Sequence, residues 1–188
     1  ERSKAAVALQ AKYTKVQKTL LDQRRELLQA AAPTTGAAKK PAHASGTPAF
    51  PNFRLEALQN LHVCTELVQD WDEEVLGCLK DIRTEYLDAT ETGFRNRDWR
   101  TEYTDTGFRL SFEFAENPFF KNNVLVGTYH TEVAHPWTGE TKVLKCEGTK
   151  IDWNPGKDVT VELTTQGLES RASFFRMFFR DLEEAVSY

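Results

Sequence analysis

Residues 107–133 read GFRLSFEFAENPFFKNNVLVGTYHTEV, and this stretch decides the fold. Phe108, Leu110, Phe112 and Phe114 alternate strictly with Arg109, Ser111 and Glu113, and a period of two sends alternate side chains to opposite faces of a strand. One face of that strand is therefore apolar and almost wholly aromatic. Glu116-Asn117-Pro118 ends the run, because proline removes a ladder donor and restrains the residue before it. A second strand begins at Val124, with Leu125, Tyr129 and Val133 on one face. Gly127 on that same face marks a bulge or a close neighbour. The pattern is that of an antiparallel hairpin with one buried side.

The chain around it has 188 residues, 40% of them apolar, enough for one main core with an appended helix. No apolar run approaches membrane-spanning length, and the first residues carry no signal-peptide pattern. The chain opens on Glu1 inside a helical pattern, so further residues are expected before it. Cys64, Cys78 and Cys146 are odd in number and widely spaced, which argues for small buried hydrophobes in a reducing compartment. The net charge of −4 conceals an asymmetry. Residues 1–48 hold nine Lys or Arg against three Asp or Glu, whereas residues 49–93 hold three against ten. An acidic body repels phosphate and attracts cationic partners, so nucleic acid is not expected as a direct ligand.

Towards the N-terminus, Ala6, Leu9, Tyr13, Val16, Leu20 and Leu27 follow a 3-4 spacing broken only at Gln23. This is a seam of about three heptads, suited to packing on the chain's own body or on a second copy. Residues 31–50 are rich in Ala, Pro, Gly, Ser and Thr without period and read as a linker or loop. From Pro51, which suits a first helical turn, Phe53, Ala57, Leu58 and Leu61 share one side of a helix. Asp72 can cap a short helix containing Val75, Leu76 and Leu79, with Glu73 and Glu74 in its first turn. That capping role alone explains the acidic run. Ile82, Thr84 and Tyr86 begin the sheet, and residues 89–106 read as an irregular excursion.

After the central hairpin, HPWTGETKVLKCEG reads as a long turn, and Ile151 and Trp153 as the start of the last core strand. Asn154-Pro155-Gly156 is a turn, after which Val159, Val161 and Leu163 resume alternation. Phe174, Phe175, Phe178 and Phe179 form an apolar stripe at helical spacing. Catalytic signatures are missing. His43, His62, His130 and His135 form no HExxH array, no cysteine pair has zinc spacing, and no phosphate-binding glycine loop or nucleophile elbow occurs. No metal, cofactor or enzymatic activity is expected.

Longer matches narrow the reading. FEFAENPFFKNNVL at 112–125 and EGTKIDWNPGKDVT at 147–160 resemble the nucleosome assembly protein family, the histone chaperones that include the SET proteins. YTKVQKTLLDQRREL at 13–27 is similar to the end of that family's dimerisation helix, PNFRLEAL at 51–58 to the helix that follows, and SFFRMFF at 173–179 to its SFFxFF segment. The matches lie in the family's order. Arg54 departs from the pattern, replacing an aromatic residue and putting one packing contact in question. Many family members carry a long basic hairpin where only about ten residues separate Leu163 from Phe174, so either that hairpin is absent or its residues are missing from this sequence; the insertion at 31–50 favours the nucleosome-assembly type over the SET type.

The resemblance implies an α+β fold: a long N-terminal dimerisation helix (1–30), a linker (31–50), and an α/β histone-binding domain (51–188) whose four-stranded antiparallel sheet carries helices on one face. It implies a homodimer paired through Ala6, Leu9, Tyr13, Val16, Leu20 and Leu27, binding core histones on an acidic concave surface and shuttling between nucleus and cytoplasm. Asp70, Asp72, Glu73 and Glu74 are the first candidates for histone contact, followed by Glu113, Glu116, Glu183 and Glu184. The alternative is an acidic adaptor or phosphatase inhibitor of the SET type.

Overall fold

A computed structural model describes residues 2–30, 45–87, 106–135, 140–165, 167–179 and 182–183. Helix α1 (Arg2–Gln29) leads into α2 (Phe53–Gln59), α3 (His62–Thr65) and α4 (Asp70–Leu76). Four long strands follow, β1 (Leu79–Leu87), β2 (Thr106–Phe114), β3 (Val124–His135) and β4 (Glu140–Gly148). The chain ends with a hairpin of β5 (Val161–Thr164) and β6 (Gly167–Ser170), then α5 (Phe174–Phe178) and the two-residue β7 (Leu182–Glu183).

The long strands form an antiparallel meander in chain order, and β7 adds a short fifth member beside β4. In the β2–β3 register Phe112 opposes Leu125, Leu110 opposes Gly127, and Phe108 opposes Tyr129, so the expected apolar face is real. α5 lies on it. Phe112 makes edge-to-face contacts with Phe174, Phe178 and Phe179, while Phe114 meets Phe120 and Phe175, geometries that suit the aromatic quadrupole. Leu55 and Leu58 of α2 and Val75 and Leu76 of α4 complete the same core. Gly127 marks a close neighbour: a Cβ there would stand 3.0 Å from the Phe178 carbonyl oxygen. Tyr129 donates its hydroxyl to that same oxygen at 3.0 Å.

Several expectations fail for identifiable reasons. Residues 140–148 form strand β4 rather than a turn; Cys146 is buried in it, but Lys142, Lys145 and Glu147 dilute the alternation. Ile151 and Trp153 begin no strand, because Trp153 forms only an isolated bridge with Phe120. The ENPFF and IDWNPG segments are instead laced together as loops. Asn117 Oδ1 accepts the Phe119 and Phe120 amides, Asn154 N–H donates to the Phe119 carbonyl, and Lys121 N–H donates to the Asp152 carbonyl. Helix α2 starts at Phe53, after Asn52 in the left-handed region at φ 64°, so Pro51 precedes its first turn. Its buried side is Arg54, Leu55 and Leu58, whereas Leu61 is exposed. Val133's side chain and residues 89–105 of the 89–106 excursion lie outside the described residues, while Thr106 opens β2 instead.

The end of the 31–50 segment is not a solvated tether. Gly46 and Thr47 are buried, and Gly46 N–H donates to the Gly77 carbonyl at 3.0 Å. Ala49 N–H reaches the Leu28 carbonyl at 3.2 Å, tying the end of α1 to the body. A Cβ on Gly46 would collide with the Leu79 backbone. Residues 31–44 lie outside the described residues.

Candidate functional site: acidic helix and helical seam

The acidic run at 70–74 divides by orientation. Asp70, Glu73 and Glu74 of α4 are exposed, whereas Asp72 is fully buried at 0%. Its carboxylate accepts the Gln69 amide at 3.1 Å, the Ser173 hydroxyl at 2.6 Å and the Phe174 amide at 2.8 Å. The first bond is half of a capping box, with Asp72 at the third helical position rather than at the cap. The other two anchor the start of α5 to α4. Asp72 is therefore withdrawn from the contact candidates: a carboxylate with three internal donors and no solvent access has nothing to offer a partner. Trp71 holds the same junction, donating Nε1–H to the Ala172 carbonyl at 3.0 Å, with the Arg171 guanidinium 4.2 Å above its ring.

The second group of acids is also divided. Glu116 is exposed at the turn after β2. Glu113 is already neutralised, 2.7 Å from Arg25 Nη2 and 3.0 Å from Lys80 Nζ. It is a poor contact candidate because a partner's cation must displace two internal ones. Glu183 contributes backbone to β7, its side chain lies outside the described residues, and so does Glu184. Glu56 and Glu66 are further exposed acids on the α2–α4 segment, and each stands singly, outside any local acidic run. Glu147 is exposed, but the hydrogen bond from Lys145 at 2.7 Å holds its carboxyl below the usual range.

Arg54 solves the question posed by its replacement of an aromatic residue. Only 6% exposed, it reaches Asp81 Oδ1 at 2.6 Å and donates to the Lys80 carbonyl at 3.4 Å. Burial pulls its pKa down from the ordinary value while Asp81 opposes that shift. Arg25 of α1 and Arg83 of β1 approach the other Asp81 oxygen at 3.7 and 3.3 Å. Together with the Arg25–Glu113 pair, these contacts fasten the last turns of α1 to the charged face of β1 and β2. Spacing alone could not reveal the Arg54–Asp81 and Arg25–Glu113 pairs, whose partners are 27 and 88 residues apart.

Along α1, Leu9, Tyr13, Val16, Leu20 and Leu27 are 55–68% exposed. Leu28, off the seam, is buried against the body. Five of the six expected pairing residues thus form an uncovered apolar stripe on the single chain; the side chain of Ala6 lies outside the described residues. Among the described residues no group of three or more His, Cys, Asp or Glu is placed to hold a metal, and no helix is long and apolar enough to cross a membrane.

The family model described as nucleosome assembly protein matches residues 1–185. The chain belongs to the nucleosome assembly protein family. Nucleosome assembly protein 1;2 of Oryza sativa subsp. indica is 35% identical over 158 residues, covering 81% of this chain and 38% of the relative. Nucleosome assembly protein 1;4 of Nicotiana tabacum is 33% identical over 163 residues, covering 83% and 40%. The chain thus spans about two-fifths of the length of these relatives. Among solved structures, nucleosome assembly protein 1 from Plasmodium knowlesi superposes with a TM-score of 0.66 at 33% identity, covering 94% of this chain and 68% of that one. Ccp1, at 20% identity and a TM-score of 0.58, shares the fold. The family's sheet and helices are those described above.

Proposed function

We propose that this chain is the core of a histone chaperone that binds core histones as a homodimer and assists nucleosome assembly and disassembly. Family membership over residues 1–185 carries the reading. The uncovered seam on α1 supports pairing of residues 1–30 with a second copy, which brings two acidic bodies together around a concave surface. Residues 51–188 then form the histone-binding domain, and residues 31–50 connect the two parts.

On each body the exposed Asp70, Glu73 and Glu74 are the contacts to test first, with Glu116 next. They compete with DNA phosphate for histone lysines and arginines. Each exposed ion pair contributes only about 0–1 kcal/mol, so affinity rests on many contacts and falls as salt rises. This mode of action asks for no cofactor and no direct contact with nucleic acid or membrane. A chaperone of this type works in both nucleus and cytoplasm.

Titrating purified core histone pairs separately against the protein at two salt concentrations, with and without competing DNA, tests the reading. Tight binding that weakens with salt and persists against DNA is expected. Changing Asp70, Glu73 and Glu74 together to Lys should lower both affinity and salt dependence while the circular dichroism spectrum stays unchanged. Absence of histone binding by the wild-type protein at low salt would refute the reading.

A further inference from the structure

The β5–β6 hairpin stands apart from the main sheet as a two-stranded unit. Its register sets Leu163 opposite Leu168 and Glu162 opposite Glu169. Directly opposed residues share a face, so Val161, Leu163, Leu168 and Ser170 occupy one side, and Glu162, Thr164 and Glu169 the other. Leu163 is 82% exposed and Leu168 73%, and both glutamates are exposed. The hairpin therefore shows water an apolar face and an acidic face at once. No Lys or Arg occurs between Val161 and Ser170.

Taken alone, this arrangement is unfavourable in three ways. Two leucines stand in water, like charges oppose each other across the strands, and an isolated two-stranded hairpin is marginally stable. Local conflicts of this kind concentrate where a surface is used. The root is nonetheless firm. Arg171 donates its amide to the Thr160 carbonyl and its Nε to the Val159 carbonyl, both at 2.9 Å, and its guanidinium covers Trp71 of α4. The hairpin is thereby rooted on the helix that exposes Asp70, Glu73 and Glu74.

We propose that this hairpin is a second docking arm for the client, receiving an extended segment in which aliphatic and basic residues alternate. The inference rests on the chaperone reading. Each hairpin strand has an outer edge that no other described strand occupies, and an added strand presents alternate side chains to the two faces. Its aliphatic side chains cover Leu163 and Leu168, while its Lys or Arg side chains lie beside Glu162 and Glu169. Charge complementarity selects this occupant: a second copy of the hairpin would bring the same glutamates and meet repulsion.

Two double variants separate the two faces: Leu163→Ser with Leu168→Ser, and Glu162→Gln with Glu169→Gln. Both are titrated with purified core histone pairs at two salt concentrations beside the wild type. The serine pair is expected to weaken binding roughly fivefold or more at both salts, the threshold of a contributing interface residue, without changing the salt slope. The glutamine pair is expected to weaken binding at low salt and flatten that slope. Wild-type affinity in both variants, with loss of binding when Asp70, Glu73 and Glu74 are reversed, would overturn this inference alone. A wild-type protein that binds no histone would overturn the chaperone reading along with it. Should the serine pair leave histone affinity unchanged but reduce assembly size in sedimentation, the occupant is a second copy and the inference falls.

Discussion

Asp72 offers the sharpest test of how the acidic run is divided. Replacing it with Ala removes a carboxylate that accepts the Ser173 hydroxyl at 2.6 Å, the Phe174 amide at 2.8 Å and the Gln69 amide at 3.1 Å. Hydrogen bonds to a charged group are worth about 1.5–3 kcal/mol each, but bonds sharing one acceptor group are not additive. Two of the orphaned donors stand in a dry junction, where each unsatisfied group costs about 1–3 kcal/mol. A loss of roughly 3–5 kcal/mol follows, a large part of a typical domain's 5–15 kcal/mol. At about 2–4 °C per kcal/mol for a chain of this size, the melting temperature should fall by roughly 10 °C. Thermal and urea melts followed by circular dichroism measure it, with Glu73→Ala as the exposed control, expected to stay within about 0.5 kcal/mol. An Asp72→Ala protein as stable as that control would refute the claim that the carboxylate joins α4 to α5. It follows that reversing all four acids at 70, 72, 73 and 74 together would unfold the protein, so only the three exposed ones report on binding.

Changing Leu9 and Val16 together to Asp should turn a dimer into monomers in sedimentation, since charge in an apolar seam is costly; a wild-type protein already monomeric at micromolar concentration would remove the premise. Phe112→Ala should cost about 3–5 kcal/mol, because three phenylalanines of the α5 region pack edge-on against that ring; an unchanged melting temperature would show that this face is not the core. Burial, with Glu74 nearby, pushes the Cys78 thiol up to about 11 from 9.0. Because its folded-state pKa is raised, the stability it contributes is complete below about pH 9 and declines as pH rises towards 11. Urea melts across that window should show less decline in Cys78→Ala than in the wild type, and equal declines would contradict the assignment.

The legible parts of the sequence were those where local pattern and tertiary environment agree. The β2–β3 hairpin could be read because strict alternation and a proline turn coincide, and the SFFRMFF stripe because every phenylalanine within it meets the core. β4 was missed because its apolar Val143 is exposed while Lys142, Lys145 and Glu147 interrupt the alternation around buried Cys146, so its period is faint. Ile151 and Trp153 misled because their apolar character serves loop packing against Phe120 rather than a ladder. Asp72 was misread as available because solvent exposure at α4 is decided by Ser173 and Phe174, a hundred residues downstream. The Gln69-to-Asp72 spacing of a capping box was the one local clue.

Arg54 and Arg25 show why the fold places the acids where they can act. Removing one partner from a buried ion pair leaves an uncompensated charge, and that penalty of about 3–5 kcal/mol holds the arrangement in place even where the intact pair adds little net stability. Asp81 has three arginines around it, one from each of α1, α2 and β1, so it fixes helix α1 and helix α2 to the sheet at a single point. The backbone bond from Ala49 to Leu28 ties α1 to the body a second time. Both ties lie in the last turns of α1, so the C-terminal end of the helix that carries the seam is fastened to the body. On the homodimer proposed above, pairing through that seam sets the separation of two acidic surfaces. Glu113 belongs to the same junction through Arg25 and Lys80, so on the proposed chaperone reading it is less free to meet a client than the exposed Asp70, Glu73 and Glu74 of α4.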